Sequence, residues 1–144
     1  MFVMTRPAIG GNVTADIVSL SGVSFATVRP TGRCEEILFS VGRGAVPYLD
    51  KIQALARHFG ASLTCTRPVA DHGDLPYRCQ VGVTGKTVSP RLYVAFGISG
   101  AVQHTSAITG AGTVLSVNTD KSARIFDYSD YGIVCDIKNL LEEK

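Results

Sequence analysis

The sequence predicts an α/β fold: a Rossmann-like parallel sheet flanked by helices, with an N-terminal antiparallel hairpin as an appendage. Three observations carry this. Residues 37–41, 62–65, 92–95, 113–117 and 132–134 read as short strands, and the apolar run at 92–95 has the pattern of a strand buried on both faces. Helical patterns and glycine-broken connections separate these runs, as in βαβ units. Residues 13–20 instead alternate polar and apolar side chains, and with the strand that follows they make residues 1–30 look like a half-buried antiparallel hairpin.

In chain order, residues 5–12 (TRPAIGGN) read as a loop from their Pro and Gly content. Residues 13–20 form a strand with Val13, Ala15 and Ile17 on one side and Thr14 and Asp16 on the other. Ser21-Gly22 is a turn signal, and residues 23–28 return as a second strand that Arg29-Pro30 ends. A lone hairpin is marginal in water and needs a surface to pack on.

The run at 37–41 leads into Gly42-Arg43-Gly44 and a helical pattern. Val46, Leu49, Ile52, Ala56 and Phe59 share one face, and Asp50, Lys51, Gln53 and Arg57 the other. Pro47 in the first turn and Gly60 past the end punctuate this helix. Residues 62–65 form a short strand. From 66 to 85, Pro68, Gly73, Pro76, Gly82 and Gly85 predict a long functional loop without regular elements. Gly97 breaks the strand at 92–95; Ser99 and Gly100 then stand at a helix start, with Gln103 and His104 one turn in. Ile137, Leu140 and Leu141 suit a short final helix.

Composition excludes several classes. The chain has 144 residues, 45% hydrophobic and 18% charged, which is enough for one domain with a real core and too apolar for disorder. A net charge of +2 without a basic run argues against nucleic acid. Residues 1–11 lack the apolar core of a signal peptide, and no run approaches the roughly 20 apolar residues that span a bilayer. Cys34, Cys65, Cys79 and Cys135 show no CxxC pair and no metal-ligand spacing. They read as free thiols of a cytoplasmic protein. A Cys65–Cys79 pair would need their loops to meet.

Thr84-Gly85-Lys86-Thr87 invites a P-loop reading, but Gln80 stands where the Walker pattern needs Gly, and Pro90 interrupts any following helix. Ser99 and His104 lack the G-x-S-x-G elbow of a hydrolase, since in Gly97-Ile98-Ser99-Gly100-Ala101 Ala101 stands where the motif needs its second Gly. Strand ends offer more. Ligands of open parallel sheets bind outside the carboxyl ends of the strands. Arg43, Thr66, Arg67, Ser99, Gly100, Asn118 and Asp130 are read as lying there: cations, hydroxyls and an acid suited to a nucleotide. Strand, glycine turn and helix start would aim N–H groups at an anion.

Residues 80–90 (QVGVTGKTVSP), 92–104 (LYVAFGISGAVQH), 117–120 (VNTD) and 130–134 (DYGIV) resemble the FAD-binding domain of the electron-transfer flavoprotein alpha subunit. Residues 41–44 (VGRG) and 66–71 (TRPVAD) fit its first strand turn and its arginine loop, and residues 5–12 resemble the last part of its N-terminal domain. The match is collinear over nearly the whole chain. It implies a hairpin remnant at 1–30 and an FAD-binding domain at 31–144.

The resemblance implies a role for each matched residue. Arg43, Asn118 and Asp130 would contact the adenosine or diphosphate half. Ser99, Gly100, Ala101, Val102 and Gln103 would hold the pyrophosphate. Arg67 would lie by the isoalloxazine ring, which Thr66, Val81, Gly82, Val83 and Thr84 would line, with the Thr84 hydroxyl near N5, and Gln80 would also belong to the cofactor-binding set. His104 would donate to the flavin O2. Ring reduction places negative charge at that edge, and a cation and a fixed donor stabilise it.

The implied function is that of an electron carrier rather than a substrate-converting enzyme. Its partner would be a beta-like subunit, another redox protein or a second copy of the chain. Val83 stands where the family typically has Gln, and only a hairpin represents the N-terminal domain. The chain therefore reads as a short relative or a fragment. The alternative from another class is a non-redox nucleotide-binding module that has lost the flavin-ring site.

Overall fold

The computed structural model describes residues 2–8, 13–20, 22, 23, 25 and 36–142. Strands β1 (Phe2–Ala8) and β2 (Val13–Ser19) form a two-stranded antiparallel sheet, with Phe2 opposite Ser19 and Ala8 opposite Val13. The hairpin is therefore present, but its partner strand precedes residue 13. Residues 5–8, read as loop, lie inside β1. The Pro7 that suggested a loop is tolerated because a two-stranded ribbon consists only of edges. Of the expected strand at 23–28, residues 24 and 26–28 lie outside the described residues.

The second sheet has five parallel strands. These are β3 (Ile37–Val41), β4 (Ser62–Cys65), β5 (Leu92–Phe96), β6 (Thr113–Asn118) and β7 (Tyr131–Val134), in spatial order β4-β3-β5-β6-β7. The chain steps outward from β3 to β4, then crosses back past β3 to begin β5. The winding direction reverses between β3 and β5, and such a reversal opens a crevice at the strands' carboxyl ends. The expected α/β class is the observed one.

Alternation along the central strands divides the core. Phe39, Val41, Val94, Phe96 and Val117 face one side, where they meet Ile52 and Ala56 of α1 (Leu49–Phe59) and Ile137 of α4 (Ile137–Glu142). Leu38, Tyr93 and Ala95 face the other, where they meet Val81, Val88, Ile98, Ala107 and Ile125. Long segments with only short helices supply that second cover: α3 (Val102–Thr105) and a 3-10 turn at Arg124–Tyr128. No described helix is long and apolar enough to cross a membrane.

Two local expectations need correction. The 66–85 stretch is not free of regular elements, because α2 (Arg67–His72) and a 3-10 turn at Tyr77–Cys79 occupy it. Pro68 lies in the first turn of α2, where a missing N–H costs nothing, and Gly73 ends the helix at φ +91°. The helix expected from Ser99 begins only at Val102 and lasts 4 residues. Gly97 and Gly100 hold φ of +60° and +84°, which keeps the chain out of the helical region until then.

The sheet's hydrogen bonding continues one residue into the loops. The N–H groups of Thr66, Gly42 and Gly97 donate to Val41, Phe96 and Val117 carbonyls at 3.0, 2.8 and 2.9 Å. The turns after β3 and β5 also touch. A Cβ on Gly42 would lie 2.2 Å from the Gly97 carbonyl oxygen.

Candidate functional site

A cavity of about 1050 Å³ opens at the β3/β5 reversal. It is at the upper end of small-ligand sites, roughly 300–1,000 Å³. Its floor is backbone: the Gly42-Arg43-Gly44 turn, Gly97 and Ile98. One wall comes from the end of β4 (Thr66, Arg67) and the loop with Gln80, Val81, Gly82, Val83 and Thr84. The opposite wall comes from Asn118 and the loop after β6, with Asp120, Ser122 and Arg124. Ser99, Ala101, Gln103 and His104 close the third side. Crossing from β4 to β6 spans three strand spacings, roughly 14 Å.

Main-chain bonds hold the 80–86 loop. Lys86 N–H donates to Gln80 O at 2.8 Å, Gly82 N–H to Lys86 O at 3.2 Å, and Val83 N–H to Gln103 O at 2.8 Å. Thr84-Gly85-Lys86-Thr87 is thus a tight turn and not the start of a helix, in line with rejection of the P-loop reading. Buried Gln80 donates from Nε2 to Thr84 Oγ1 at 2.8 Å. That hydroxyl accepts from Gln80, so its own proton remains to donate elsewhere.

Most of the residues expected at the site come together there: Arg43, Thr66, Arg67, Gln80, Val81, Gly82, Val83, Thr84, Ser99, Ala101, Gln103, His104 and Asn118 all line the cavity. Gly100, Val102 and Asp130 do not. Gly100 is buried against the next loop, where a Cβ would fall 2.1 Å from Ile125 N. Val102 begins α3 and lies outside the lining.

Asp130 is at the wrong end of the sheet. It precedes β7, and its carboxylate accepts the Val114 N–H at 2.8 Å, near the amino end of β6. The acid that follows β7 is Asp136, which accepts the Lys138 N–H at the start of α4.

His104 also differs from expectation. It is buried, with Nδ1 3.0 Å from the Val81 carbonyl oxygen and Nε2 2.7 Å from the Tyr93 hydroxyl. A carbonyl only accepts, so Nδ1 carries the proton and Nε2 accepts from Tyr93. Both ring nitrogens are engaged within the protein, which leaves none to donate into the cavity. Burial pushes its pKa down to about 4, so the ring is neutral at physiological pH.

Charge on the rim is mixed. Arg67 is exposed at the start of α2, and its Nε donates to Asp71 Oδ2 at 3.3 Å; Tyr77 donates to the other Asp71 oxygen at 3.0 Å. Among the described residues, Arg43 and Arg124 enter no ion pair. Asn118 donates to Ile98 O and accepts from Asp120 N–H, which ties the loop after β6 to the loop after β5. The Ser122 hydroxyl and N–H hold the Asp120 carboxyl below the usual carboxylate range.

Sequence reasoning missed Asp120, Ser122 and Arg124 as lining residues. The strand-end rule that selected Asn118 extends to the loop it begins, and that was the available signal.

Near α3, backbone geometry favours an anion. His104 N–H is the first to bond back into the helix, to Ala101 O at 2.9 Å, so the N–H groups before it lack intrahelical acceptors. With Arg43 and Arg124 on the rim, the donor set fits a bridging phosphate group, and glycine backbone lets it approach the floor.

Comparison with known proteins agrees with this geometry. The model of the electron transfer flavoprotein FAD-binding domain matches residues 33–109. The chain is 45% identical over 111 residues to electron transfer flavoprotein subunit alpha of Methylophilus methylotrophus, covering 75% of this chain and 35% of the relative. It is 43% identical over 101 residues to Protein FixB of Rhizobium meliloti, covering 70% and 29%. It is 40% identical over 119 residues to mitochondrial electron transfer flavoprotein subunit alpha of Oryza sativa subsp. indica, covering 81% and 33%. The chain thus spans about a third of the length of the curated relatives it matches. Fold, cavity and sequence converge: the chain belongs to the electron transfer flavoprotein FAD-binding domain family.

Proposed function

We propose that the cavity holds FAD and that the chain serves as the flavin-holding part of an electron carrier. The observation that carries this reading is one continuous cavity running from the β4 wall to the loop after β6. Its length and volume suit a dinucleotide. The flavin ring occupies the wall formed by Thr66, Arg67 and residues 80–84. The diphosphate meets Arg43 and the N–H groups before His104. The adenosine half reaches Asn118 and Asp120, whose carboxylate accepts ribose hydroxyls.

When bound, the flavin supplies the electron-accepting chemistry. The chain's own residues position and tune it. Thr84 presents a hydroxyl proton, its oxygen already held by Gln80. Arg67 supplies positive charge at the ring, reduced by Asp71 and by its exposure to water. Because Asp130 is remote, the loop at 118–124 takes the adenosine role first given to it.

Fluorescence titration tests the reading. FAD is expected to bind at least tenfold more tightly than FMN, because only FAD reaches the loop after β6. Equal affinity for the two would overturn it.

The relatives are named as subunits, and we infer that this chain also works with a second polypeptide, a beta-like subunit or another redox protein. In the hairpin, Val3 and Val18 stand opposite each other in the register and are 47 and 43% exposed, an apolar pair suited to a partner surface. Light scattering of the purified chain tests this. A complex with a co-expressed beta-like chain supports it. A monomer in both preparations counts against it.

A further inference from the structure

The two cysteines whose pairing required their loops to meet are brought together by the fold. Cys65 ends β4, and Gln80, the neighbour of Cys79, is its parallel bridge partner. Val81 N–H donates to Cys65 O at 2.9 Å, which fixes the two segments at strand spacing. Cys79 packs against the small core of Cys65, Val69, Ala70 and Leu75. Among the described residues, Cys65, Cys79 and Cys135 are in no disulfide. Each of the paired cysteines adjoins residues of the cavity wall: Cys65 precedes Thr66 and Arg67, and Cys79 precedes Gln80 and Val81.

We propose that Cys65 and Cys79 form a thiol–disulfide pair that, when oxidised, ties the end of β4 to the 80–84 loop and locks one wall of the cavity. This modification site stands independently of what the cavity holds. The oxidant is a small-molecule disulfide of the glutathione class. Cys79 is partly exposed and Cys65 fully buried, so Cys79 reacts first. Its thiolate attacks the small disulfide, forms a mixed disulfide and releases one thiol. Cys65 then gives up its proton, attacks the Cys79 sulfur and releases the second thiol. Two protein thiols are oxidised and one small disulfide is reduced to two thiols.

Burial, and then the neighbouring Cys79, push the Cys65 thiol up to about 11. The second, inward attack is therefore the slow step. A bond that closes slowly between segments already held side by side suits a device that responds to sustained oxidation rather than to brief pulses.

The 144-residue chain is equilibrated with glutathione disulfide under native conditions, quenched with acid, alkylated and digested with trypsin without reduction. Trypsin cuts between Arg78 and Cys79 and spares Arg67 before Pro68, so peptides 58–78 and 79–86 separate unless a disulfide joins them. The expected result is the joined pair, two hydrogens lighter than the separate peptides. It disappears with dithiothreitol and is absent from Cys79→Ser, while the far-ultraviolet circular dichroism is unchanged. Recovery of the two peptides apart, with Cys65 alkylated, would overturn the proposal. Cys79 joined to Cys34 or Cys135, or a link formed only in urea, would overturn it equally.

Discussion

The Tyr93 hydroxyl donates to His104 Nε2 across 2.7 Å, and both side chains are buried beneath the cavity. Tyr93→Phe keeps the ring and removes the donor, which leaves a buried acceptor unpaired. The expected loss of stability is about 1–3 kcal/mol, seen as a lower urea midpoint at unchanged slope. A midpoint equal to that of the unmodified protein would show that the bond contributes nothing.

His104 also sets a pH dependence. Its pKa is about 4 when folded, through burial, against 6.5 for a free histidine. Between those values the unfolded chain binds more protons, so stability rises with pH. The contribution is complete above pH 6.5 and is lost as pH falls toward 4, on the order of 3 kcal/mol in total. Urea unfolding at steps from pH 4.5 to 7.5 should reveal this slope. In His104→Gln the slope over that window should flatten, and an identical slope would assign it to other groups.

The two glycines flanking Arg43 should differ sharply on substitution. A Cβ on Gly42 meets the Gly97 backbone at 2.2 Å, whereas one on Gly44 comes no closer than 3.5 Å. Gly42→Ala forces the β3 and β5 turns apart, at a cost on the order of 3 kcal/mol. Gly44→Ala should stay within about 1 kcal/mol of the parent. Thermal unfolding of the pair checks the contrast, and equal midpoints would refute the contact.

Arg67 and Asp71 should shift the potential of a bound flavin in opposite directions. Arg67→Ala removes positive charge beside the ring and lowers the potential. Asp71→Asn removes the carboxylate that offsets Arg67 and raises it. Both groups are substantially exposed, so the shifts are small, about 10–40 mV for a one-electron step. FAD affinity should hardly change, since Arg43 and the α3 approach are untouched. Shifts of the same sign in a spectroelectrochemical titration would contradict this assignment.

The central strands were legible because apolar runs bounded by glycine leave little else to read, as with residues 92–95 before Gly97. The turn cations Arg43 and Arg67 were legible for the same reason: they sit where strands end, whereas Thr84, in the loop between β4 and β5, was legible only through the family resemblance. What eluded the sequence depends on contacts distant along the chain. Pro68 suggested a loop, yet a proline in the first turn of a helix loses nothing, and only the packing of Val69 and Ala70 on Cys65 fixes α2. Asp130 was given the wrong end of the sheet because a strand of 4 residues leaves a short distance between its two ends in sequence. His104 matched a donor by position, but the Val81 carbonyl and the Tyr93 hydroxyl, 23 and 11 residues away, take both its nitrogens.

The hydrogen bonds from Thr66, Gly42 and Gly97 into the strands beside them extend the sheet to the lip of the cavity. The lip therefore cannot widen between one pair of strands without breaking the sheet's own ladder. A ligand as large as the cavity therefore enters from the open side, past Arg67, residues 80–84 and the loop after Asn118, over a floor that stays shut. Amide exchange would separate the two regimes. The Gly42, Thr66 and Gly97 amides should exchange only with global unfolding, and the Ser122 and Arg124 amides by local opening. Ligand exchange should then keep pace with the rim, on a timescale independent of the protein's overall stability.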